Sequence, residues 1–173
     1  RGVPVFASQH EVEALDEYSD GDPYGQSNEV GELNEFSRWR LETTTALLER
    51  HLPPGGVVLD VGCGPGQLTV EMARRFPTTD FVGVDGSLAA VRAVRDGPTN
   101  AAFAVGDASK LPFTHGSFDA VVMNNLWEHL IAPVSVAASL RQLLKPEGFL
   151  LLSTPSRYST TNLLRALAGR PMH

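Results

Sequence analysis

Cysteine and lysine are both scarce in this 173-residue sequence. It contains one cysteine, Cys63, and only two lysines, Lys110 and Lys145. A single cysteine excludes an internal disulfide and favours a reducing compartment, so we expect a cytoplasmic protein. Nucleic-acid binding ordinarily needs a basic surface that neutralises phosphates, and the sequence has no stripe of lysine and arginine. We therefore expect no nucleic-acid partner.

Long apolar runs are also missing. No window approaches the ~20 apolar residues of a membrane span, and the first residues lack the basic flank and apolar stretch of a signal peptide. With 42% hydrophobic and 20% charged residues, the composition is that of one globular domain. Residues 1–55 carry 11 acids against 4 bases. We expect residues 1–28 to form an acidic, solvated arm before a domain over residues 29–173.

Strand and helix patterns alternate from residue 56 onwards. The strand patterns are strongly apolar and lie at 56–61, 80–85, 101–107, 117–125 and 148–155. The helical patterns lie at 29–51, 66–76, 87–95, 132–144 and 160–169. Strands this apolar are buried on both faces, as in a parallel sheet covered by helices. The sequence therefore predicts an α/β fold with a doubly wound, mainly parallel sheet and helices on both faces.

The first strand runs directly into a glycine-rich turn, in the stretch LDVGCGPGQLT. Gly62, Gly64 and Gly66 permit positive φ and the close approach of a ligand to the backbone. A dinucleotide fingerprint places glycines at its first, third and sixth positions, but here the sixth is Gln67. Asp60, just before the turn, would disfavour a pyrophosphate and suit an ammonium group. The turn therefore predicts a nucleoside ligand that carries a cationic tail.

Acidic residues end the next two strands. Asp85 lies 23 residues after Gly62, where a carboxylate can accept hydrogen bonds from both ribose hydroxyls. Asp107 ends the third strand and is followed by small residues, which suits an adenine edge. A lone acid at such a place is more often a helix cap or a turn residue. Three acids at successive strand ends, beside a glycine turn, instead predict a ligand at the carboxyl edge of the sheet.

Five stretches make the chain similar to the class I S-adenosylmethionine-dependent methyltransferases. They are VLDVGCGPGQLT, FVGVDGS, VGDASKLPF, FDAVVMNNLWEHL and LLKPEGFLLLSTP, in the order and spacing of that family. The resemblance implies that S-adenosylmethionine is the cofactor and S-adenosylhomocysteine the product. It also implies a set of cofactor-binding residues, namely Asp60, Gly62, Cys63, Gly64, Gly66, Asp85, Gly86, Asp107, Ala108 and Asn124.

By this resemblance the glycine turn and Asp60 lie against the methionine moiety, Asp85 holds the ribose, and Asp107 with Ala108 meets the adenine. Cys63 is expected to pack within the turn rather than to act as a reactive thiol. In the helical pattern before the first strand, we expect Arg38 to pair with the methionine carboxylate. The three-residue spacing of Phe36 and Trp39 favours a stripe that faces the core.

The stretch NNLWEHL after the fourth strand is similar to the acceptor loop of the ubiquinone-biosynthesis O-methyltransferases. That branch has Glu-x-x-Glu-His at this place and is associated with a divalent metal. Here Asn125 replaces the first Glu, and because Mg²⁺ favours charged oxygen ligands we expect no metal. His129 could act as base for a hydroxyl acceptor, with Glu128 orienting it, and a purely structural pair is equally supported. Four residues are expected to bind the acceptor, although the last two could instead cap the helix at 160–169: Asn125, Trp127, Arg157 and Tyr158.

The sequence thus predicts an enzyme that transfers a methyl group to a small molecule, with oxygen favoured as the methylated atom. The loop lacks the Asn-Pro-Pro-aromatic motif for amino groups and the Pro-Cys pair for pyrimidines, which excludes both acceptor classes. Three alternatives remain: a non-catalytic module that binds the cofactor, a nicotinamide-dependent oxidoreductase, and an aminopropyl transferase.

Only five strand patterns are readable, whereas the family continues with a helix and a β-hairpin that complete a seven-stranded sheet. We therefore expect the C-terminal strands to be absent from this chain and the domain to be incomplete. An incomplete sheet would expose a strand edge, which proteins usually cover or pair. A homodimer is one way to cover that edge.

Overall fold

The computed structural model describes residues 4–6, 33–94 and 97–155. Their centre is a five-stranded sheet with the strand order β3-β2-β1-β4-β5, and every neighbouring pair of strands is parallel. The predicted doubly wound parallel sheet is confirmed. The strands are β1 (Val57–Val61), β2 (Asp80–Asp85), β3 (Ala101–Val105), β4 (Phe118–Asn124) and β5 (Leu144–Ser153).

The described residues also form four α-helices and one 3₁₀ turn, of which the first helix precedes β1 and the others connect successive strands, with no helix between β3 and β4. None of the helices in the described part of the chain is long and apolar enough to cross a membrane. The predicted helix at 160–169 lies outside the described residues. The helices are α1 (Glu35–His51), α2 (Gln67–Arg75), α3 (Leu88–Ala93) and α4 (Pro133–Leu143), and the 3₁₀ turn is Trp127–His129.

Helix α1 begins later than the pattern at 29–51 predicts. The Asn34 side chain accepts a hydrogen bond from the Ser37 amide at 2.8 Å and has an extended backbone, so it caps the helix and Glu35 is the first helical residue. Leu33 and Asn34 are not helical, and residues 29–32 lie outside the described part. The prediction extended too far because helical spacing continues past a capping side chain.

The core is built from alternate residues of the central strands. Val58 of β1 packs with residues of α1 and α2 on one face of the sheet, and Leu59 packs with residues of α4 on the other. Because successive side chains of a strand point to opposite faces, one apolar run serves both layers. Both Val58 and Leu59 are fully buried.

Strand β5 begins at Leu144, before the predicted start at residue 148. Its pairing with β4 is irregular near its beginning, where the register shifts between Phe118 and Ala120. The Asp119 carboxylate accepts hydrogen bonds from the Val57 amide at 2.8 Å and from Lys145 Nζ at 2.7 Å. The polar start of β5 is therefore tied to β1 and β4 by one carboxylate, a long-range contact that local sequence does not reveal.

The segment Pro4–Phe6 extends the sheet at its other edge. Val5 forms a parallel bridge with Val105, whose amide donates to the Pro4 carbonyl at 2.9 Å and whose carbonyl accepts from the Phe6 amide at 2.7 Å. The Phe6 ring also meets Phe113 edge-on at 5.9 Å. These three residues are exposed, and their backbone groups pair with the edge of β3.

Candidate cofactor and acceptor site

The glycine turn lies between β1 and α2, at the carboxyl edge of the sheet. Gly62, Gly64 and Gly66 all have positive φ, at 75°, 54° and 74°. A Cβ on Gly66 would lie 2.7 Å from the Phe103 ring, so packing as well as backbone conformation requires glycine there. A Cβ on Gly64 would meet no described atom within 4 Å. The turn is thus packed at Gly66 and open at Gly64, where a ligand can approach the backbone.

Asp85 joins the glycine turn to the end of β2. Its Oδ2 accepts a hydrogen bond from the Gly64 amide at 2.8 Å, and its Oδ1 accepts one from the Ser87 amide at 2.9 Å. Gly86 lies between Asp85 and Ser87, where β2 leads into helix α3. A carboxylate offers about four acceptor positions. Asp85 can therefore hold the turn and still accept hydrogen bonds from a diol.

Asp60, at the end of β1, is buried, with 2% of its surface exposed. Its Oδ2 accepts a hydrogen bond from Thr69 Oγ1 at 2.6 Å. Burial raises the pKa of Asp60 to about 6; the Thr69 hydrogen bond opposes this rise, Asp85 adds to it and Arg40 opposes it. A cationic group beside this carboxylate would favour its charged form. The position suits an ammonium group, as the sequence predicts.

Cys63 places its thiol inside the turn. Its Sγ donates to the Gly64 carbonyl at 3.6 Å and lies 3.1 Å from where a Cβ on Gly83 would be. Burial raises the pKa of this thiol, and the charges of Asp60 and Asp85 raise it further. The thiol is therefore a protonated packing group, which is the role expected from the sequence.

Arg40 is a described arginine whose charge acts on Asp60, and the sequence did not single it out. Arg40 is half-buried and Arg38 is exposed. Burial lowers the pKa of Arg40, while the charges of Asp60 and Glu128 oppose that shift. Arg40 donates to Ser37 Oγ at 3.1 Å, and its buried Nε has no hydrogen-bond partner among the described residues. Such an unsatisfied charged donor is costly unless a ligand satisfies it.

The spacing of the buried residues in α1 indicates that Arg40 lies next to the buried face of the helix. The residue lies three positions after Ser37 and four before Thr44, and both of these face the core. The prediction that Phe36 and Trp39 face the core is wrong, since they are 51% and 60% exposed and stack on each other with ring centres 6.2 Å apart. The buried stripe of α1 is instead formed by Ser37, Leu41, Thr44, Thr45 and Leu48.

Asp107 follows the end of β3, where it forms a local turn. Its Oδ1 accepts hydrogen bonds from the amide and the hydroxyl of Ser109, both at 2.8 Å. The Gly106 amide donates to the Asp85 carbonyl at 3.0 Å, which holds this turn beside the end of β2. Ala108 packs against the apolar core cluster next to the turn. Asp60, Asp85 and Asp107 thus lie at the ends of three adjacent strands, at the same edge of the sheet.

The loop after β4 begins with an unusual backbone at Asn125, which is the one described non-glycine residue with positive φ, at 53°. Its amide donates to the Ser153 carbonyl at 2.9 Å, and Asn124 Oδ1 accepts from Ser153 Oγ at 2.8 Å. Left-handed non-glycine residues are uncommon, asparagine is enriched among them, and strained backbone clusters at functional sites. The end of β5 therefore fixes the conformation of both asparagines.

The predicted acceptor residues continue into the 3₁₀ turn. Trp127 packs against the apolar core cluster, and the His129 amide donates to the Leu126 carbonyl at 3.0 Å. Glu128 is exposed, and its Oε2 accepts from Thr154 Oγ1 at 3.0 Å. Thr154 thus engages the carboxylate that was predicted to orient His129. Two further predicted acceptor residues, Arg157 and Tyr158, lie outside the described part of the chain.

Comparison with known proteins gives a family match over the part of the chain that holds these residues. The family of methyltransferase domains matches residues 58–148. An uncharacterised methyltransferase of Schizosaccharomyces pombe is 31% identical over 162 residues, covering 82% of this chain and 58% of the relative. A ubiquinone biosynthesis O-methyltransferase of Xanthomonas axonopodis pv. citri is 36% identical over 128 residues, covering 72% and 52%. The chain therefore spans a little over half the length of these curated relatives.

Solved structures show the same fold. A crystal structure of a Pyrococcus horikoshii protein has a TM-score of 0.61 and 31% identity, and the match covers 78% of this chain and 64% of that one. The cyclase SpnF also has a TM-score of 0.61, at 23% identity, and that likeness concerns the fold alone. Since one fold supports different chemistries, function has to be argued from the site. The family match over residues 58–148 shows that the chain belongs to the family of methyltransferase domains.

Proposed function

We propose that this chain binds S-adenosylmethionine and methylates a small-molecule acceptor. The observation that carries the proposal is the electrostatic influence between Asp60, a buried carboxylate just before the glycine turn, and Arg40, whose buried Nε has no hydrogen-bond partner among the described residues. This charge pattern is complementary to an amino acid zwitterion. When bound, the cofactor supplies a methyl group activated by a sulfonium centre.

Different residues would bind different parts of the cofactor. Asp60 would accept hydrogen bonds from the amino group, and Arg40 would donate to the carboxylate in place of Arg38. Asp85 would accept from the ribose hydroxyls while it holds the Gly64 amide at 2.8 Å. The turn at Asp107 and Ala108 would meet the adenine, because it comes directly after β3, the strand beside β2.

Replacing Asp85 by alanine should weaken S-adenosylhomocysteine binding about tenfold. The variant loses acceptors for the ribose and the hydrogen bond that holds Gly64, and a lost hydrogen bond costs about 1–3 kcal/mol. Calorimetric titration measures this loss. Asp80→Ala is the matched control, because Asp80 is an exposed acid at the opposite end of the same strand. Equal affinities for the Asp85 variant and the parent chain would remove Asp85 from the site.

Oxygen is the acceptor atom that we propose, because the similar ubiquinone biosynthesis enzyme has a name that specifies O-methyltransfer. In this chain His129 would take the proton of a hydroxyl acceptor. The charge of Glu128 acts on Arg40, and Glu128 Oε2 accepts a hydrogen bond from Thr154 Oγ1 at 3.0 Å. We therefore propose that Glu128 positions the loop after β4, between the cofactor and the acceptor, and does not touch the reacting oxygen. On the same loop, the side chains that would line the site are those of Asn124, Asn125 and Trp127.

A methyl-transfer assay tests the acceptor proposal once S-adenosylhomocysteine binding has been measured. Labelled methyl from S-adenosylmethionine is offered to panels of quinols, phenols, carboxylic acids and amines, and oxygen-bound methyl in the product is the expected result. Label that appears on nitrogen or carbon alone would contradict O-methylation. With the best acceptor, His129→Ala should lower kcat and leave cofactor affinity unchanged, whereas the exposed His115→Ala should change neither. An unchanged kcat in the His129 variant would leave that residue structural.

A further inference from the structure

One buried hydroxyl contacts the site without a role in the function proposed above. Thr69 lies in the first turn of α2 and is completely buried. Its Oγ1 donates to Asp60 Oδ2 at 2.6 Å, a short distance typical of a hydroxyl that donates to a charged oxygen. The bond joins the helix after the glycine turn to the strand before it, so it spans the turn that would hold the ligand.

The direction of this hydroxyl is not the ordinary one for a helical threonine. Thr45 of α1 is also buried, and its Oγ1 donates back along its own helix to the Leu41 carbonyl at 2.8 Å. Such back-bonding is the usual way for a helical threonine to satisfy its hydroxyl. Thr69 instead reaches a carboxylate nine residues earlier in the chain. Its hydrogen bond therefore stabilises the Asp60 carboxylate rather than the backbone of helix α2.

We propose that Thr69 is a positioning residue for cofactor binding that acts through Asp60, because its hydroxyl stabilises the charged carboxylate that meets the amino group of the ligand. The inference rests on the proposed function. A buried carboxylate without a hydrogen-bond partner would be costly to hold in its charged form. A neutral hydroxyl satisfies one oxygen without cancelling the charge that a cationic ligand needs.

Burial and three neighbouring side chains decide the charge of Asp60. Burial raises its pKa, the Thr69 hydrogen bond lowers it, Asp85 of β2 raises it, and Arg40 of α1 lowers it. The thiol of Cys63, in the turn itself, stays protonated, because burial and the charges of Asp60 and Asp85 raise its pKa. Removal of the Thr69 hydroxyl takes away the largest influence that opposes burial. Asp60 in such a variant should lose its charge at a higher pH than in the parent chain.

Thr69→Val, which replaces the hydroxyl by a methyl group of similar size, tests the inference without ligand first. Carbon-13 NMR titration of labelled aspartate carboxyls should show the Asp60 midpoint displaced upward by about one pH unit, because a hydrogen bond to a charged group contributes roughly 1.5–3 kcal/mol. Thr69→Ser, which keeps the hydroxyl, should restore the midpoint. The Thr45→Val control should leave it unchanged.

Calorimetric titration with S-adenosylhomocysteine gives the second readout. With the midpoint displaced by about one unit, affinity in Thr69→Val should be roughly eightfold weaker than in the parent chain near pH 5.5 and nearly equal near pH 8.5. A loss that is the same at every pH, or an unmoved Asp60 midpoint, would overturn the inference. Failure of the parent chain itself to bind at pH 8.5 would overturn the proposed function together with this inference.

Discussion

Replacement of Asp60 by asparagine is expected to weaken S-adenosylhomocysteine binding about a hundredfold and, at the same time, to stabilise the ligand-free protein above pH 6. The binding loss results from removal of a buried negative charge beside the ligand's amino group, a contact of roughly 1.5–3 kcal/mol. The gain in stability has its origin in the same charge, which burial makes costly in the absence of a ligand. The asparagine oxygen can still accept the Thr69 hydroxyl.

The pH dependence of this stability has a definite sign. The pKa of Asp60 is raised from its ordinary 3.8 to about 6 in the folded protein. Because the folded state holds this proton more tightly, the contribution of Asp60 to stability is fully present below about pH 4 and is lost as pH rises through about 6, by about 3 kcal/mol in total. An asparagine carries no such charge, so the variant keeps that free energy above pH 6 and gains nothing below pH 4.

Urea denaturation between about pH 4.5 and pH 8 measures the difference between the two proteins. The control is Asp80→Asn, which changes an exposed acid on the neighbouring strand and should alter neither stability nor binding. A variant at Asp60 that is less stable than the parent chain at pH 8 would contradict the electrostatic account. A variant that binds S-adenosylhomocysteine as tightly as the parent would remove Asp60 from the site.

Replacement of Arg40 by methionine should weaken S-adenosylhomocysteine binding about thirtyfold at pH 8. Methionine keeps much of the apolar stem and removes the guanidinium, whose buried Nε has no partner among the described residues. A charge-assisted hydrogen bond to a carboxylate contributes roughly 1.5–3 kcal/mol. Methylthioadenosine, which shares the nucleoside but has no amino acid carboxylate, should bind the variant and the parent chain equally. Calorimetric titration with both ligands separates the two contributions.

Arg38→Met is the matched control for Arg40, because it removes the same charge from the exposed face of the same helix. It should leave the affinity for both ligands within about twofold, since an exposed charge in water interacts weakly with a partner at a distance. If Arg38→Met lost the affinity and Arg40→Met kept it, the arginine predicted from the sequence would be the carboxylate partner. Equal losses of both ligands in Arg40→Met would instead indicate a structural effect.

The parallel sheet could be predicted from sequence because its signals are local. Strand β2 has the bounds that its pattern indicates, Asp80–Asp85, and the other strands differ from their patterns at their ends. The start of β5 could not be predicted, because Lys145 is held by an aspartate 26 residues earlier in the chain. Pairing of Pro4–Phe6 with β3 spans about a hundred residues, and a short segment carries no local signal for a partner so distant.

The candidate site likewise contains some residues that could be predicted from the sequence and others that could not. Glycine spacing and strand-end acids predicted a ligand at Gly64, Asp60 and Asp85, because each of these residues is recognisable from its neighbours. Arg40 depended on which face of α1 is buried, and the aromatic spacing of Phe36 and Trp39 indicated the wrong face. Thr69 is an ordinary helical residue in the sequence. Its proposed importance rests on the direction of its hydroxyl, which the fold determines and local sequence does not.

Calorimetric titration of the 173-residue chain with S-adenosylhomocysteine, repeated with NADH, tests the central claim most directly. The two ligands share an adenosine moiety and differ in the group attached to it, which is a neutral thioether with an amino acid in one and a pyrophosphate in the other. We predict micromolar binding of S-adenosylhomocysteine and no binding of NADH, because Asp60 and Arg40 match the amino acid and Asp60 repels a pyrophosphate. Binding of NADH alone, or of neither ligand, would contradict the account.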